Sequence, residues 1–93
     1  MSFKLTGTVH KIYDSFTYTE SFMKQEFILA VQDGDYTEYP KFQLINDKRS
    51  EIGNVTEGDQ VTVHFNIKGR EVEKDGVLKY YTNLDAWRIE QEV

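Results

Sequence analysis

The stretch from Glu57 to Glu90 constrains the fold most, because its pattern predicts two long strands joined by a tight turn. After Gly58-Asp59, apolar and polar residues alternate strictly, which is typical of a strand with one buried face. The predicted core positions are Val61, Val63, Phe65 and Ile67, and the predicted exposed positions are Thr62, His64, Asn66 and Lys68. Asp75-Gly76 suits a hairpin turn, and Trp87 on the return strand is assigned to the core. An isolated two-stranded ribbon is marginally stable at best, so the upstream chain must supply further strands.

Composition limits the classes of protein that this chain can belong to. Its 93 residues predict one domain, 1–93, with a single small core. A net charge of −5 argues against broad binding of polyanions, so any nucleic-acid site must be a local basic face. The absence of cysteine excludes disulfides and thiolate zinc sites. The N-terminus lacks an apolar signal core and no apolar run approaches the roughly 20 residues of a membrane span, so we expect an unexported, cytoplasmic protein.

Three shorter strands and a short helix precede the long hairpin. The predicted elements are strands at 3–13, 23–32 and 41–46 and one or two helical turns at 47–52. Gly7, inside the first strand, predicts a bulge or a sharp bend. Asn46 or Asp47 is the expected helix cap, and Gly53 is the expected stop. The polar segment 14–22 is predicted to be a loop.

The order of these elements favours an all-β OB-fold, a partly open, five-stranded Greek-key barrel with a short helix between strands 3 and 4. A first strand bent at a glycine and a long final hairpin agree with this fold. An SH3-like barrel is the alternative, but its helical turn falls before the last strand, whereas the break here precedes the fourth.

Several sequence blocks also resemble a family of short bacterial and phage proteins that carries only a domain-of-unknown-function label. The blocks are Lys24-Gln25-Glu26-Phe27, Phe42-Gln43-Leu44, Asn46-Asp47-Lys48, Glu57-Gly58-Asp59, Val61-Thr62-Val63, Gly69-Arg70-Glu71, Tyr81-Thr82-Asn83-Leu84 and Ala86-Trp87. The resemblance implies an OB-fold similar to bacterial single-stranded DNA-binding proteins and primosomal replication protein N, without an established active site. Those single-strand binding proteins usually continue into a tail with an acidic tip. This sequence stops at Val93, so we expect no recruitment of repair enzymes through such a tail.

Catalytic and metal chemistry find little support in the sequence. The two histidines, His10 and His64, both fall on the polar phase of their strands, where they could face each other. Two imidazoles without a third ligand make a weak metal site, and no base stands beside a nucleophile. We therefore predict a protein that is not an enzyme and that needs no metal or other cofactor.

Binding of a single strand requires aromatic faces for base stacking and nearby cations for phosphates. In an OB-fold the usual site is the exposed face of strands 2 and 3 with the flanking loops. The candidate nucleic-acid-binding residues are Phe16, Tyr18, Lys24, Tyr39, Lys41, Gln43, Lys68, Arg70, Lys79 and Tyr80. The loop aromatics have an alternative role as a plug over one end of the barrel, and Phe22 is the strongest candidate for that role.

These features predict a protein that binds single-stranded DNA, with RNA as a second ligand to consider. Ile28 and Ile45 form a small apolar patch on otherwise polar phases, so we also expect a homodimer or a higher homo-oligomer. Two alternatives remain open: a module whose aromatic loops grip a peptide or partner protein, and a binder of oligosaccharides or small ligands.

Overall fold

The structure, a computed structural model, describes residues 2–92. Met1 and Val93, to which the expectations about export and a C-terminal tail refer, lie outside the described residues. The strands are β1 (Phe3–Ile12), β2 (Phe16–Thr19), β3 (Phe22–Asp33), β4 (Tyr36–Glu38), β5 (Lys41–Ile45), β6 (Gln60–Lys74) and β7 (Val77–Gln91). A 3-10 helix, Asn46–Ile52, connects β5 to β6. No helix in the described part of the chain has the length and apolar character that a membrane span needs.

The five long strands close into a ring. Their order is β1-β6-β7-β5-β3, and β3 pairs again with β1. All of these pairs are antiparallel except β5 with β7, which run parallel at Gln43 and Asp85. Five such strands, with a helix before the fourth, make an OB-fold, so the predicted fold is confirmed. β2 and β4 are short additions that pair with the two ends of β3.

β1 closes the ring because it changes partner along its length. Thr8 pairs with Gln60 on one side and with Ala30 on the other. At the neighbouring Gly7 a Cβ atom would lie only 2.5 Å from the carbonyl oxygen of Ala30. The predicted bulge exists, but its extra residue is His10, not Gly7. The glycine is instead needed for close approach of two backbones.

The core fills the ring with side chains from every long strand. The ring of Phe42 lies 5.3 Å from that of Phe27 and 5.0 Å from that of Phe65. The buried apolar residues are Val9, Phe27, Leu29, Phe42, Leu44, Ile52, Val61, Val63, Phe65 and Ala86. Burial of each large side chain stabilises the fold by about 1.5–3 kcal/mol.

The core positions predicted for β6 are confirmed at Val61, Val63 and Phe65, whereas Ile67 and His64 depart from the prediction. Ile67 was expected in the core but is 44% exposed, because β6 and β7 leave the ring beyond Phe65 and continue as a two-stranded arm. His64 was expected to be exposed but is buried, 6% accessible. Its cover is the half-buried Trp87, whose ring lies 5.2 Å away. Trp87 is the extra residue of a bulge in β7 and packs outside the core to which it was assigned.

Local structure differs from the sequence-based expectation in two further places. Segment 14–22, predicted to be a loop, contains strand β2 and folds back on β3. Asn46 does not cap the helix: it has a positive φ of 49°, and its Oδ1 accepts a hydrogen bond from the backbone N–H of Met23. Ile45 occupies the cap position without a side-chain hydrogen bond. The hairpin turn is confirmed, since Asp75 and Gly76 have φ angles of 54° and 77°.

We expect Gly7→Ala to destabilise the protein by about 1–3 kcal/mol or more, because the new methyl group would clash with the backbone carbonyl of Ala30 and crowd the buried side chain of Leu29. Gly69→Ala is the matched control. A Cβ atom there lies 4.0 Å from its nearest neighbour, the carbonyl oxygen of Tyr81. Urea unfolding of both variants measures the difference. Equal stabilities would contradict the role assigned to Gly7.

Truncation along β6 tests where the core ends. Phe65→Ala should cost about 3–5 kcal/mol through the cavity left beside Phe42. Ile67→Ala, two residues further on the same face, should cost much less because the side chain is already 44% exposed. Thermal and urea unfolding report both values, and a Phe65→Ala protein as stable as the parent would show that the assigned core is wrong.

Candidate nucleic-acid interface

One face of β3 and β5 carries side chains that point away from the core. The register pairs Lys24 with Ile45, Glu26 with Gln43, and Ile28 with Lys41. The alternate positions of the two strands hold Phe27 and Phe42, which are fully buried. Strict alternation therefore places these six paired residues together, on what we call the outer face.

Strand β2 extends the outer face with aromatic rings. Phe16 pairs with Lys24, and Tyr18 is the extra residue of a bulge between Thr17 and Thr19. The ring centroids are 4.7 Å apart between Phe16 and Tyr18 and 5.4 Å between Tyr18 and Phe22. The three residues, the aromatic cluster, are 59%, 52% and 39% exposed in sequence order, so they do not plug the ring, and the expectation for Phe22 is wrong. The ammonium group of Lys24 lies 5.2 Å from the Tyr18 ring centroid.

Strand β1 and the residue that follows it add a cation and a ring that sequence reasoning missed. Lys11 pairs with Ile28, and its ammonium group lies 4.9 Å from the ring centroid of Tyr13. Residues two apart in a regular strand share a face, so an unbroken β1 would place both residues on the core side with Val9. The extra residue at His10 reverses this phase and turns both side chains outward.

A carboxylate lies between the two lysines of the outer face. Glu26 Oε2 is 3.9 Å from the Lys24 Nζ and 3.4 Å from the Lys41 Nζ. Gln43, proposed from sequence as a ligand contact, donates from Nε2 to Asp85 Oδ1 at 2.5 Å and so ties β5 to β7. The positive potential of this face is therefore moderate, because Glu26 offsets part of it.

The outer face continues along the hairpin arm, residues 67–74 and 77–84. Across the arm, Lys68 pairs with Asn83, Arg70 with Tyr81, and Val72 with Lys79, so three predicted cations share one side. The Asn66–Asp85 pair lies on the same side of β6 and β7 as these cations. Asp85 in turn pairs with Gln43 of β5.

Two predicted aromatic residues lie away from these cations. Tyr80 pairs with Glu71 on the opposite side of the arm, and its hydroxyl donates to Glu71 Oε2 at 3.0 Å. Tyr81, 51% exposed, accompanies the cations instead and was missed. Tyr39 packs on His10 with ring centroids 4.9 Å apart and lines a groove with Leu5, Val31 and Pro40.

The two histidines do not meet. The residue opposite His64 on β1 is Lys4, and His64 Nε2 shares a hydrogen bond with Glu90. That hydrogen bond, assisted by the charge of Arg88, lowers the pKa of Glu90 below its ordinary value. Within residues 2–92, no three histidine, aspartate or glutamate side chains come close enough to hold a metal ion.

Residues 4–90 match the family model described as "Domain of unknown function (DUF3127)". The chain belongs to this family. Comparison with the curated proteins gives no significant match.

Solved structures similar to this DUF3127 chain share its fold over nearly its whole length. The mitochondrial single-stranded DNA-binding protein Rim1 of S. cerevisiae aligns with a TM-score of 0.75 and 16% identity, covering 98% of this chain and 93% of its own. The small single-stranded DNA-binding protein of Streptomyces coelicolor gives 0.65 and 20%, with 100% and 94% covered. The dimeric N-terminal domain of PriB from Thermoanaerobacter tencongensis gives 0.71 and 18%, with 99% and 96% covered. At these identities the likeness shows the fold.

The lowered pKa of Glu90 predicts a loss of stability in acid. Because the folded carboxylate holds its proton less tightly than the unfolded one, its contribution is present above pH 4.5 and is lost as the pH falls through the folded pKa. Glu90→Gln should therefore reduce the free energy of unfolding at neutral pH. Below pH 4.5 this free energy should fall less steeply in the variant than in the parent. Chemical denaturation at several pH values, with the exposed Glu38→Gln as control, measures this. Parallel pH profiles for Glu90→Gln and the parent would contradict the assignment.

Proposed function

We propose that this DUF3127 protein is a cytoplasmic, non-enzymatic binder of single-stranded nucleic acid, with DNA as its principal ligand and RNA as a second. The strand lies along the outer face, where the aromatic cluster stacks on bases and Lys24 and Lys41 contact phosphates. It continues along the arm past Lys68, Arg70 and Lys79.

The carrying observation is that the sheet register collects exposed rings and cations on one continuous surface. Base stacking on an exposed ring is worth about 1–3 kcal/mol and tolerates any sequence. Phe16 and Tyr18 meet that requirement, since each is more than half exposed and stands beside Lys24. Tyr81 offers a further ring beside Arg70 on the arm.

The proposal is consistent with the acidic balance of the chain. Glu26 is the carboxylate that pairs with Lys24 and Lys41, while Lys11 extends the same face and the arm adds three cations. Binding of this kind is modest at physiological salt, and duplex binding is negligible because an acidic protein attracts few phosphates nonspecifically. Likeness of fold to proteins named for binding single-stranded DNA supports the same ligand class.

We further propose that the protein acts as a homodimer or a higher homo-oligomer. The dimeric PriB domain with the same fold supports this assembly. On the outer face Ile28 and Ile45 are half-buried within the chain, so their patch offers less apolar area than the sequence suggested. Sedimentation velocity over a range of concentrations tests the proposal, and a monomer throughout would contradict it.

Fluorescence anisotropy with labelled oligo-dT, measured over a range of salt concentrations, tests the binding function. If about four cations contact phosphates, log K should fall against log salt with a slope of roughly −3, at about −0.7 per contact. Absence of binding at low salt and high protein concentration would overturn the proposal and favour the module that binds a peptide or a partner protein.

Two classes of variant separate stacking from charge. Tyr18→Ala should cost about 1–3 kcal/mol of affinity without changing the salt slope, because stacking releases no counterions. Lys41→Gln should weaken binding and reduce the slope by about 0.7. The controls are Tyr36→Ala, a 75% exposed tyrosine on β4, and Lys48→Gln on the helix, and neither should alter binding as strongly. Equal effects of test and control variants would place the ligand elsewhere on the protein.

A further inference from the structure

A cleft of about 310 Å³ opens beside the outer face where β7 separates from β5. The two strands pair only at Gln43 and Asp85, and the arm diverges from the ring on the N-terminal side of that pair. The lining residues are Glu26, Lys41, Phe42, Gln43, Thr82, Asn83 and Leu84. At roughly 30 Å³ per water, the cleft has room for about ten waters and hence for one nucleobase.

The polar groups of the cleft place an acceptor beside a donor. Glu26 Oε2 lies 3.4 Å from the Lys41 Nζ and 3.9 Å from the Lys24 Nζ. Both ammonium contacts fall on Oε2, which leaves Oε1 for a donor from a ligand. Gln43 is held in place by its bond to Asp85, and the floor is the fully buried Phe42. The cleft thus presents one carboxylate and one ammonium group side by side.

We propose that this cleft binds one unstacked base and that Glu26 makes it prefer cytosine to thymine and uracil. The inference rests on the proposed single-strand binding. Cytosine presents its N4 amine next to the N3 acceptor, which complements a carboxylate beside an ammonium group. The Lys41 ammonium has three N–H donors, so one can serve N3 while another contacts a phosphate. A carboxylate is the standard acceptor for the cytosine N4 amine.

Thymine and uracil present the wrong order of groups to the same pair. Their O4 is an acceptor at the position of the cytosine amine, so it faces the Glu26 carboxylate without a proton between them. Their only ring donor, N3–H, lies between two carbonyl oxygens, which repel a carboxylate that approaches it. One well-formed contact of this kind discriminates by about tenfold.

The test compares short homopolymers of dC, dT and dU by competition anisotropy at mildly alkaline pH, where oligo-dC is unfolded. The wild-type protein should bind dC about tenfold tighter than dU and dT, and the dU sample separates this effect from that of the thymine methyl group. In Glu26→Gln the side chain can both donate and accept, so the preference should fall to about twofold or less. Affinity for dT should rise at the same time, because the variant removes a negative charge beside Lys24 and Lys41.

Glu38→Gln is the matched control, since it makes the same change of charge on the exposed β4, outside the cleft. It should keep the wild-type ratio of dC to dT affinity. Equal binding of dC and dT by the wild type, or an unchanged ratio in Glu26→Gln, would overturn the inference while leaving the proposed function intact. Failure to bind any homopolymer would overturn both.

Discussion

The closure of the ring through β1 is the constraint on which the other features depend. Thr8 pairs with β6 and β3 at once, and this double pairing requires the backbone at Gly7 to approach the Ala30 carbonyl more closely than any side chain allows. Closure surrounds the aliphatic and aromatic core with strands. Within the ring, no strand keeps a long unpaired edge. It also orients β3 and β5 so that their polar phase faces outward as a single surface.

Local irregularities turn that surface into a candidate binding site. The bulge at His10 rotates Lys11 and Tyr13 outward, and the short β2 strand brings two exposed rings against Lys24. The bulge moves Lys11 and Tyr13 by one phase of the strand, which is the usual consequence of an inserted residue. The polar side of the arm continues the outer face, so exposed rings and cations also occur along the arm.

The positive potential of the site is weaker than its number of cations suggests. Glu26 contacts both lysines of the sheet, and Gln43 is engaged by Asp85. A face of this kind attracts a polyanion less strongly than free lysines do, and it also provides fixed acceptors that a bare cationic groove lacks. The separation of β7 from β5 gives one of those acceptors a cleft of its own.

The sequence by itself determined the succession of the five ring strands along the chain, the hairpin turn at Asp75-Gly76 and the core positions Val61, Val63 and Phe65, because alternation and turn chemistry are local properties that survive folding. It also placed Lys24, Lys41 and Gln43 on one face, since the phase of β3 and β5 is unbroken. Only the tertiary structure decided where the alternation of apolar and polar residues no longer corresponds to buried and exposed positions. Ile67 is exposed because the ring ends before it, His64 is buried because a bulge brings Trp87 over it, and Tyr81 replaces Tyr80 beside the cations because the register of the long hairpin sets the faces. Burial depends on which strand lies opposite, and no local pattern contains that information.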